Sequence, residues 1–304
     1  MIPERLGPIC DVFSEYADEM RRNSATPRVI EPGSVYQESN TKNRVIIDRI
    51  LDELLLPGSG VLHTDHLESL REKLNAGESC LILPEHYSNF DTPCLHYLFS
   101  KAGFPDLAES IIFMAGMKLT EESGFVNAFA EAYTRIVIYP SRSLRKISDA
   151  DTLQQETRRS REINMAATRT MIRMKHKGRS ILVFPSGTRY REGDPETKRG
   201  VKEVDSYIKS FDWMVTIGIS GNALPINTTA GGDMSMDIAT RDVVIQSVSA
   251  PISCRRFREA ARASCPASTD PKQHVADLVM VELEKVHAEA AEERAARVAA
   301  ATDG

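Results

Sequence analysis

A histidine and an aspartate five residues apart are the first candidates for catalysis in this chain. His86 and Asp91 follow the short apolar run at 81–83. At neutral pH, imidazole is the side chain best suited to take a proton from an alcohol, and an aspartate can hold the ring in one tautomer. The same spacing also fits a surface histidine followed by an aspartate that caps a helix, since Thr92-Pro93 comes next. A second motif favours the catalytic interpretation.

That second motif lies about a hundred residues downstream, behind another apolar run, and reads Phe184-Pro185-Ser186-Gly187-Thr188-Arg189-Tyr190-Arg191. Gly187 permits backbone conformations that other residues resist. The alternate spacing of Arg189 and Arg191 lets two guanidinium groups converge on one phosphate, a group that arginine binds in bidentate fashion. A solvated loop that carries charges is the plainer alternative. Ser186 does not lie in the Gly-x-Ser-x-Gly pattern of a hydrolase nucleophile. The simpler interpretation is a hydroxyl that bonds the backbone of the turn.

Together the two segments resemble the glycerolipid acyltransferase family, whose members share a His-x4-Asp motif and a later Phe-Pro-Glu-Gly-Thr-Arg motif. Ser186 at the usual glutamate position, and Arg191 two residues after Arg189, look most like the soluble plastid-type glycerol-3-phosphate acyltransferases. The resemblance covers about residues 75–230. A third segment, at 135–143, is similar to the family's middle motif, whose basic residues help to hold the glycerol phosphate, and Arg142 falls where the plastid-type enzymes have a lysine. A surface charge is the alternative for Arg142.

The resemblance implies transfer of a fatty acyl group from acyl carrier protein or coenzyme A to the sn-1 hydroxyl of glycerol 3-phosphate, which yields lysophosphatidate. His86 would be the general base and Asp91 would orient it. The expected substrate-binding residues are Arg189, Arg191, Arg142, Ser186 and Gly187. No cofactor or metal is expected. Two alternatives stay open: acylation of lysophosphatidate at the second position, and a non-catalytic lipid-binding or carrier-binding protein on the same fold.

Runs of apolar residues alternate with helical patterns after residue 60, which indicates an α/β fold with a mixed, mainly parallel sheet covered by helices on both faces. Strands are predicted at 80–83, 111–114, 135–139, 180–184, 214–219 and 243–248. Helices are predicted at 65–75, at 152–177 and from Pro271 to a tail that frays after Arg297. A fourth family motif is expected at 223–226 or, in another register, at 216–220.

The first sixty residues read as helical, with apolar residues at helical spacing over 9–22 and 43–56. The breaker Pro57-Gly58-Ser59-Gly60 predicts a domain boundary. We therefore expect a small N-terminal helical domain at 1–60, and an α/β acyltransferase domain with a C-terminal helix at 61–304.

Composition restricts the protein class. The chain is 41% hydrophobic and 27% charged, ordinary for a folded soluble protein, and no apolar run approaches the roughly 20 residues that cross a bilayer. Five cysteines without a Cys-x-x-Cys pair favour a reducing compartment. We expect a soluble protein of the cytoplasm or an organelle stroma, with at most peripheral membrane contact. His63 and His66 lie close together, but we do not expect a metal site at this pair.

Basic residues are concentrated in the middle of a chain whose net charge is −5. The predicted helix at 152–177 and the residues just after it carry eight of the 38 lysines and arginines, from Arg158 to Arg179. Charge-rich helices are usually solvated. The more specific interpretations are docking of an acidic acyl carrier protein, binding of coenzyme A phosphates, or contact with anionic lipid heads. Nucleic-acid binding is disfavoured because interleaved aromatic residues are missing and the total charge is acidic.

Overall fold

Short runs of buried residues build the strands of a central sheet in the computed structural model. The structure describes residues 2–24, 29–117, 119, 125–144 and 147–302, apart from the side chains of residues 125, 141, 142 and 302. The strands are β1 (Glu4–Pro8), β2 (Tyr36–Gln37), β3 (Gly60–Leu62), β4 (Cys80–Pro84), β5 (Ile111–Gly116), β6 (Arg135–Ile138), β7 (Ser180–Leu182), β8 (Trp213–Ser220), β9 (Ile238–Arg241), β10 (Ile245–Val248) and β11 (Ile252–Ser253).

Helices separate most of the strands along the chain. They are α1 (Ile9–Val12), α2 (Ser14–Asn23), α3 (Thr41–Leu54), α4 (Thr64–Asn75), α5 (Asp91–Lys101), α6 (Pro105–Ser110), α7 (Phe125–Glu131), α8 (Ser141–Leu144), α9 (Ala150–Lys175), α10 (Val204–Ile208), α11 (Cys254–Ala263) and α12 (Pro271–Thr302). None of the helices in the described ranges combines the length and the apolar character that crossing a membrane requires.

The main sheet has the order β2-β6-β5-β7-β4-β8-β10-β3, and β11 pairs with β8. The five strands from β6 to β8 in this order run parallel. Strand β2 is antiparallel to β6 at one edge, and β10 is antiparallel to β8 near the other. The sheet is therefore mixed and mainly parallel, as the sequence predicts. Because parallel strands end on the same side, the residues after β4 and β7 meet at one edge of the sheet.

Strand β4 shows why both faces are covered. Successive side chains of a strand point to opposite faces. Cys80 and Ile82 pack in the cluster that includes α3 and α5, whereas Leu81 and Leu83 pack in the cluster that includes α9 and α12. Both clusters are buried, so a nearly continuous apolar run is required in this strand rather than an alternation with polar residues.

The N-terminal segment differs from the all-helical prediction. Strand β1 pairs with β9 and β2 joins the main sheet, while the predicted helix at 9–22 is divided at Phe13. These strands are short and partly polar, so they leave little periodic signal. Met20 and Ile46 lie in the same buried cluster as Ile82. The residues before the predicted boundary thus share a core with the sheet, and the boundary itself stays a prediction.

The C-terminal helix is longer than predicted. We expect fraying after Arg297, but α12 continues to Thr302. Arg297 donates to the carbonyl of Gly58 at 2.8 Å, and Val298 packs against the cluster that contains Val243 and Ile245. These long-range contacts hold a segment whose local composition is that of a terminal tail.

Candidate active site

The turn between β4 and α5 brings His86 and Asp91 together. The Oδ2 atom of Asp91 accepts hydrogen bonds from His86 Nδ1 at 2.8 Å and from the backbone N–H groups of Tyr87 at 2.6 Å and Ser88 at 2.9 Å. Asp91 is buried, with 6% of its surface exposed. A carboxylate that accepts from Nδ1 fixes the tautomer in which Nε2 carries the lone pair. Because His86 lines the groove described below, this nitrogen is available to act as a base there.

The segment after β7 lies directly against this histidine. The rings of His86 and Phe184 are stacked, with centroids 3.8 Å apart and 14° between the planes. The backbone N–H of Tyr190 donates to the carbonyl oxygen of His86 at 2.7 Å. The two sequence motifs are thus joined by a side-chain contact and a backbone hydrogen bond.

The turn at Ser186 and Gly187 has a clear local cause. Gly187 has a φ of +63°, a left-handed conformation that favours glycine. The Ser186 hydroxyl donates to the carbonyl oxygen of Thr188 at 2.7 Å, which is the hydrogen bond expected of a turn serine. Gly187 lines the groove, whereas Ser186 is buried behind it.

Arg189 forms an ion pair with Asp237, in which its Nη1 donates to Oδ2. The other carboxylate oxygen of Asp237 accepts from the backbone N–H of Asn227 at 3.2 Å. Burial raises the pKa of Asp237, and the opposing effect of the nearby guanidinium does not cancel this rise. Asp237 lies 48 residues after Arg189, beyond any spacing that a motif could indicate.

Arg191 and Arg142 have different surroundings. Arg191 is exposed and lines the groove, and its backbone N–H donates to the Thr197 hydroxyl at 2.9 Å. Arg142 lies in α8, and its side chain falls outside the described residues. The neighbouring Tyr139 and Ser143 line the groove.

A groove of about 1770 Å³ is lined by His86, Gly187, Arg189 and Arg191. Drug-sized ligands typically occupy roughly 300–1,000 Å³, so this groove has room for more than a small polar substrate. Its lining includes polar side chains, among them His86, Arg189, Arg191 and Asn227. It also includes apolar side chains, among them Phe90, Phe113, Met114, Leu119, Val126, Phe129, Ala130 and Ile138. This composition suits a substrate with a charged head and a long apolar chain.

Comparison with known proteins bears on this arrangement. Residues 67–208 match the protein-family model described as Acyltransferase. The matched segment, just under half of the chain, is similar to acyltransferase domains. The match supports an O-acyltransferase of the glycerolipid type. A search of curated proteins found no matching sequence.

Further walls of the groove come from outside the matched range. Leu224, Pro225 and Ile226, from one of the two segments where a fourth motif is expected, line it. Thr216, from the alternative register, is fully buried within β8. Within the matched range, helix α9 contributes Asn164 and Met171 to the same groove. Neither Asn164 nor Met171 stands out by residue type, so the sequence alone could not identify them as lining residues.

A histidine cluster lies apart from the groove. The potential ligand atoms of His63, Asp65 and His66 lie within 4.8 Å of one another, and His63 Nε2 is 3.2 Å from a carboxylate oxygen of Glu289. None of these side chains lines the groove. The cluster therefore has no part in the function proposed below.

Proposed function

We propose that this protein transfers a fatty acyl group from an acyl carrier protein or coenzyme A thioester to the sn-1 hydroxyl of glycerol 3-phosphate. The observation that carries the proposal is that His86, held by Asp91, lines the same groove as Arg189 and Arg191. A base and a pair of cations in one groove match an acceptor with both a hydroxyl and a phosphate. The serine at position 186 and the second arginine support glycerol 3-phosphate over lysophosphatidate as that acceptor.

The chemical step is a direct transfer. His86 Nε2 takes the proton of the acceptor hydroxyl while its oxygen attacks the thioester carbonyl carbon. The tetrahedral intermediate collapses, the C–S bond breaks, and the leaving thiolate takes the proton from the imidazolium. Asp91 stabilises the imidazolium without itself becoming protonated. The products are the acylated glycerol phosphate and the free thiol of the carrier.

The first turn of α5 offers a donor for the oxyanion. The first N–H groups of a helix have no partner within it. In α5, Pro93 has no N–H, and Cys94 N–H donates to the Phe90 carbonyl at 2.7 Å. Thr92 is in the first turn and lines the groove. We assign its backbone N–H to the oxyanion that forms on the thioester carbonyl.

Arg189 and Arg191 contribute to phosphate binding in different ways. Asp237 holds Arg189 in place, which lowers the entropy lost when the guanidinium binds a ligand. Arg191 is exposed and approaches the phosphate from the surface. The apolar side chains of the groove, among them Phe90, Phe129 and Ile138, then take the acyl chain.

The basic outer face of α9 is the proposed docking surface for the acyl carrier. Arg161, Arg169 and Arg173 are exposed on this helix, while Asn164 and Thr168 of the same helix line the groove. An acidic carrier bound to the arginines would therefore sit beside the groove into which its thioester must reach. Met165 and Ile172 are exposed between these arginines, so peripheral contact with an anionic membrane is the alternative use of this face.

The test is an assay of the purified protein with two acceptors, glycerol 3-phosphate and lysophosphatidate, and two donors, acyl carrier protein and coenzyme A thioesters. We expect turnover with glycerol 3-phosphate that disappears in His86→Ala. Turnover with lysophosphatidate alone would reassign the acceptor. Binding of acyl donor without turnover of any acceptor would favour the non-catalytic alternative.

A further inference from the structure

A buried carboxylate lies immediately before the proposed general base. Glu85 is only 5% exposed, and it accepts three hydrogen bonds. Its Oε1 accepts from the hydroxyl of Tyr87 at 2.9 Å. Its Oε2 accepts from the backbone N–H of Ile219 and from His287 Nδ1, both at 2.8 Å. Glu85 and Tyr87, the residues on either side of His86, are thus tied to each other and to β8 and α12.

His287 belongs to α12, outside the matched range 67–208. It reaches Glu85 because α12 lies unusually close to β8. A Cβ atom on Gly218 would come within 2.3 Å of the backbone nitrogen of His287. Only glycine at this position allows the helix to approach so closely. Helix α12 therefore places the titratable imidazole of His287 against the turn that carries His86.

The same contacts extend toward the loop that carries Arg189 and Arg191. Tyr87 meets Tyr190 edge to face, with ring centroids 5.9 Å apart, and Tyr190 lies between Arg189 and Arg191 in the chain. Burial and the Glu85 carboxylate raise the pKa of Tyr87, which keeps its hydroxyl protonated as a donor. A shift of the Glu85 side chain would therefore displace Tyr87 and, through it, Tyr190.

Electrostatics favours a cation at position 287. The hydrogen bond to Glu85 raises the pKa of His287 above its ordinary value, although burial opposes this effect. The other charged groups that face His287 are Lys198 and Glu284, which pair with each other at 3.1 Å. Glu85 is therefore the charged group to which His287 responds most directly.

We propose that His287 is a positioning residue for acyl transfer: its imidazolium neutralises Glu85, so that Asp91 is the principal negative charge that His86 meets. This inference rests on the proposed function. An unpaired negative charge near an imidazole favours the protonated form of the ring. The enzyme would then need a higher pH to free its base. His287 acts through Glu85 and touches no substrate.

The test compares pH profiles of kcat/KM. In His287→Gln, we expect the acid limb to move upward by about one pH unit, with rates near those of the wild type at alkaline pH. The double variant Glu85→Gln/His287→Gln removes both charges and should return the limb toward its original position. His274→Gln provides a matched control, since His274 lies on the same helix and contacts the Ser264 hydroxyl away from the groove.

Two outcomes would overturn the inference: a uniform loss of rate at every pH, which indicates a structural role alone, or an unchanged profile. Histidine NMR titrations without substrate test the ion pair separately. Glu85→Gln should lower the pH at which His287 titrates, and an unchanged titration would also overturn the inference. If the wild-type protein transfers no acyl group while this titration shift is seen, the proposed function has failed and the ion pair has not.

Discussion

The imidazole of His86 lies parallel to the ring of Phe184, with the two centroids 3.8 Å apart. One residue opens the His-x4-Asp motif and the other opens the second motif. Because β4 and β7 are adjacent and parallel, the segments that follow them meet at one edge of the sheet. This contact gives the base an apolar wall on one ring face, while Asp91 determines its tautomer.

Loss of the base is the first prediction. His86→Ala and Asp91→Ala should retain the fold, and their turnover should fall by about 10²- to 10⁴-fold because general-base catalysis is lost. Turnover under saturating substrates measures the effect, and circular dichroism checks the fold. Asp91→Asn keeps a similar shape but favours the wrong tautomer, so it should also be slow. Folded variants with near-normal rates would remove His86 from the mechanism.

Alanine substitutions of Arg191 and of Arg189 should differ in their effects on acceptor binding and on protein stability. Arg191→Ala should weaken glycerol 3-phosphate binding by about 1.5–3 kcal/mol, the contribution of a hydrogen bond to a charged group, and leave stability nearly unchanged. Arg189→Ala should weaken binding and also destabilise the fold by about 3–5 kcal/mol, because Asp237 loses its buried partner. Acceptor titration and urea unfolding measure the two quantities.

Lysine at either position should rescue binding only in part, since the bidentate geometry is lost. Unchanged acceptor affinity in both alanine variants, with weakened donor affinity, would assign the arginines to the carrier instead.

The basic face of α9 predicts a salt-dependent donor preference. Replacing Arg161, Arg169 and Arg173 with glutamate should raise KM for acyl carrier protein while sparing acyl-CoA turnover. The wild-type KM for the carrier should rise with salt, because the Debye length falls from about 10 Å at 0.1 M to 3 Å at 1 M. Arg159 is left intact because it contacts the Ile30 carbonyl and Glu156.

A matched control reverses Arg22, Arg255 and Arg256, which are exposed and do not line the groove. It changes the net charge equally and should leave both donors unaffected. Equal effects of the α9 variant on both donors would point to a shared phosphate-binding role, and no effect would leave α9 a solvated face.

Stability should depend on pH through His287. Its pKa is raised in the folded protein, so the folded state holds this proton more tightly than the unfolded chain does. The stabilisation is fully present below the ordinary histidine pKa of about 6.5 and disappears as pH rises through the folded value. The Tm difference between wild type and His287→Gln should therefore be largest at acidic pH and smallest at alkaline pH. A difference that grows with pH would contradict this prediction.

Gly218→Ala should displace α12. The added Cβ would lie 2.3 Å from a backbone nitrogen and 2.4 Å from a backbone carbon, neither of which can rotate away. Overpacking of this kind typically costs about 1–3 kcal/mol, which urea unfolding can measure. Gly33→Ala is the control, because nothing lies within 4 Å of the place that its added methyl group would take. Equal unfolding free energies in the two variants would refute the close packing of α12 on β8.

The sequence predicts the structure of the candidate site most fully around β4. Apolar residues at 80–83, a histidine and an aspartate five residues later predict a strand, a turn and a helix, and these elements form at Cys80–Pro84 and Asp91–Lys101. The hydrogen bonds of Asp91 span at most five residues. Local spacing is therefore enough to predict this part of the candidate site. The same holds for Gly187, whose turn conformation is a local property of the chain.

Other partners are decided by tertiary structure alone. Asp237 meets Arg189 across 48 residues, and His287 meets Glu85 across 202. Neither pair has a local pattern, because each depends on how separate elements pack against the sheet. The sequence by itself determined the α/β alternation and the two motifs at strand ends. Only the packing of α12 on β8 and the position of Asp237 decided which charges face one another, since a buried charge acts on whatever group the fold places beside it.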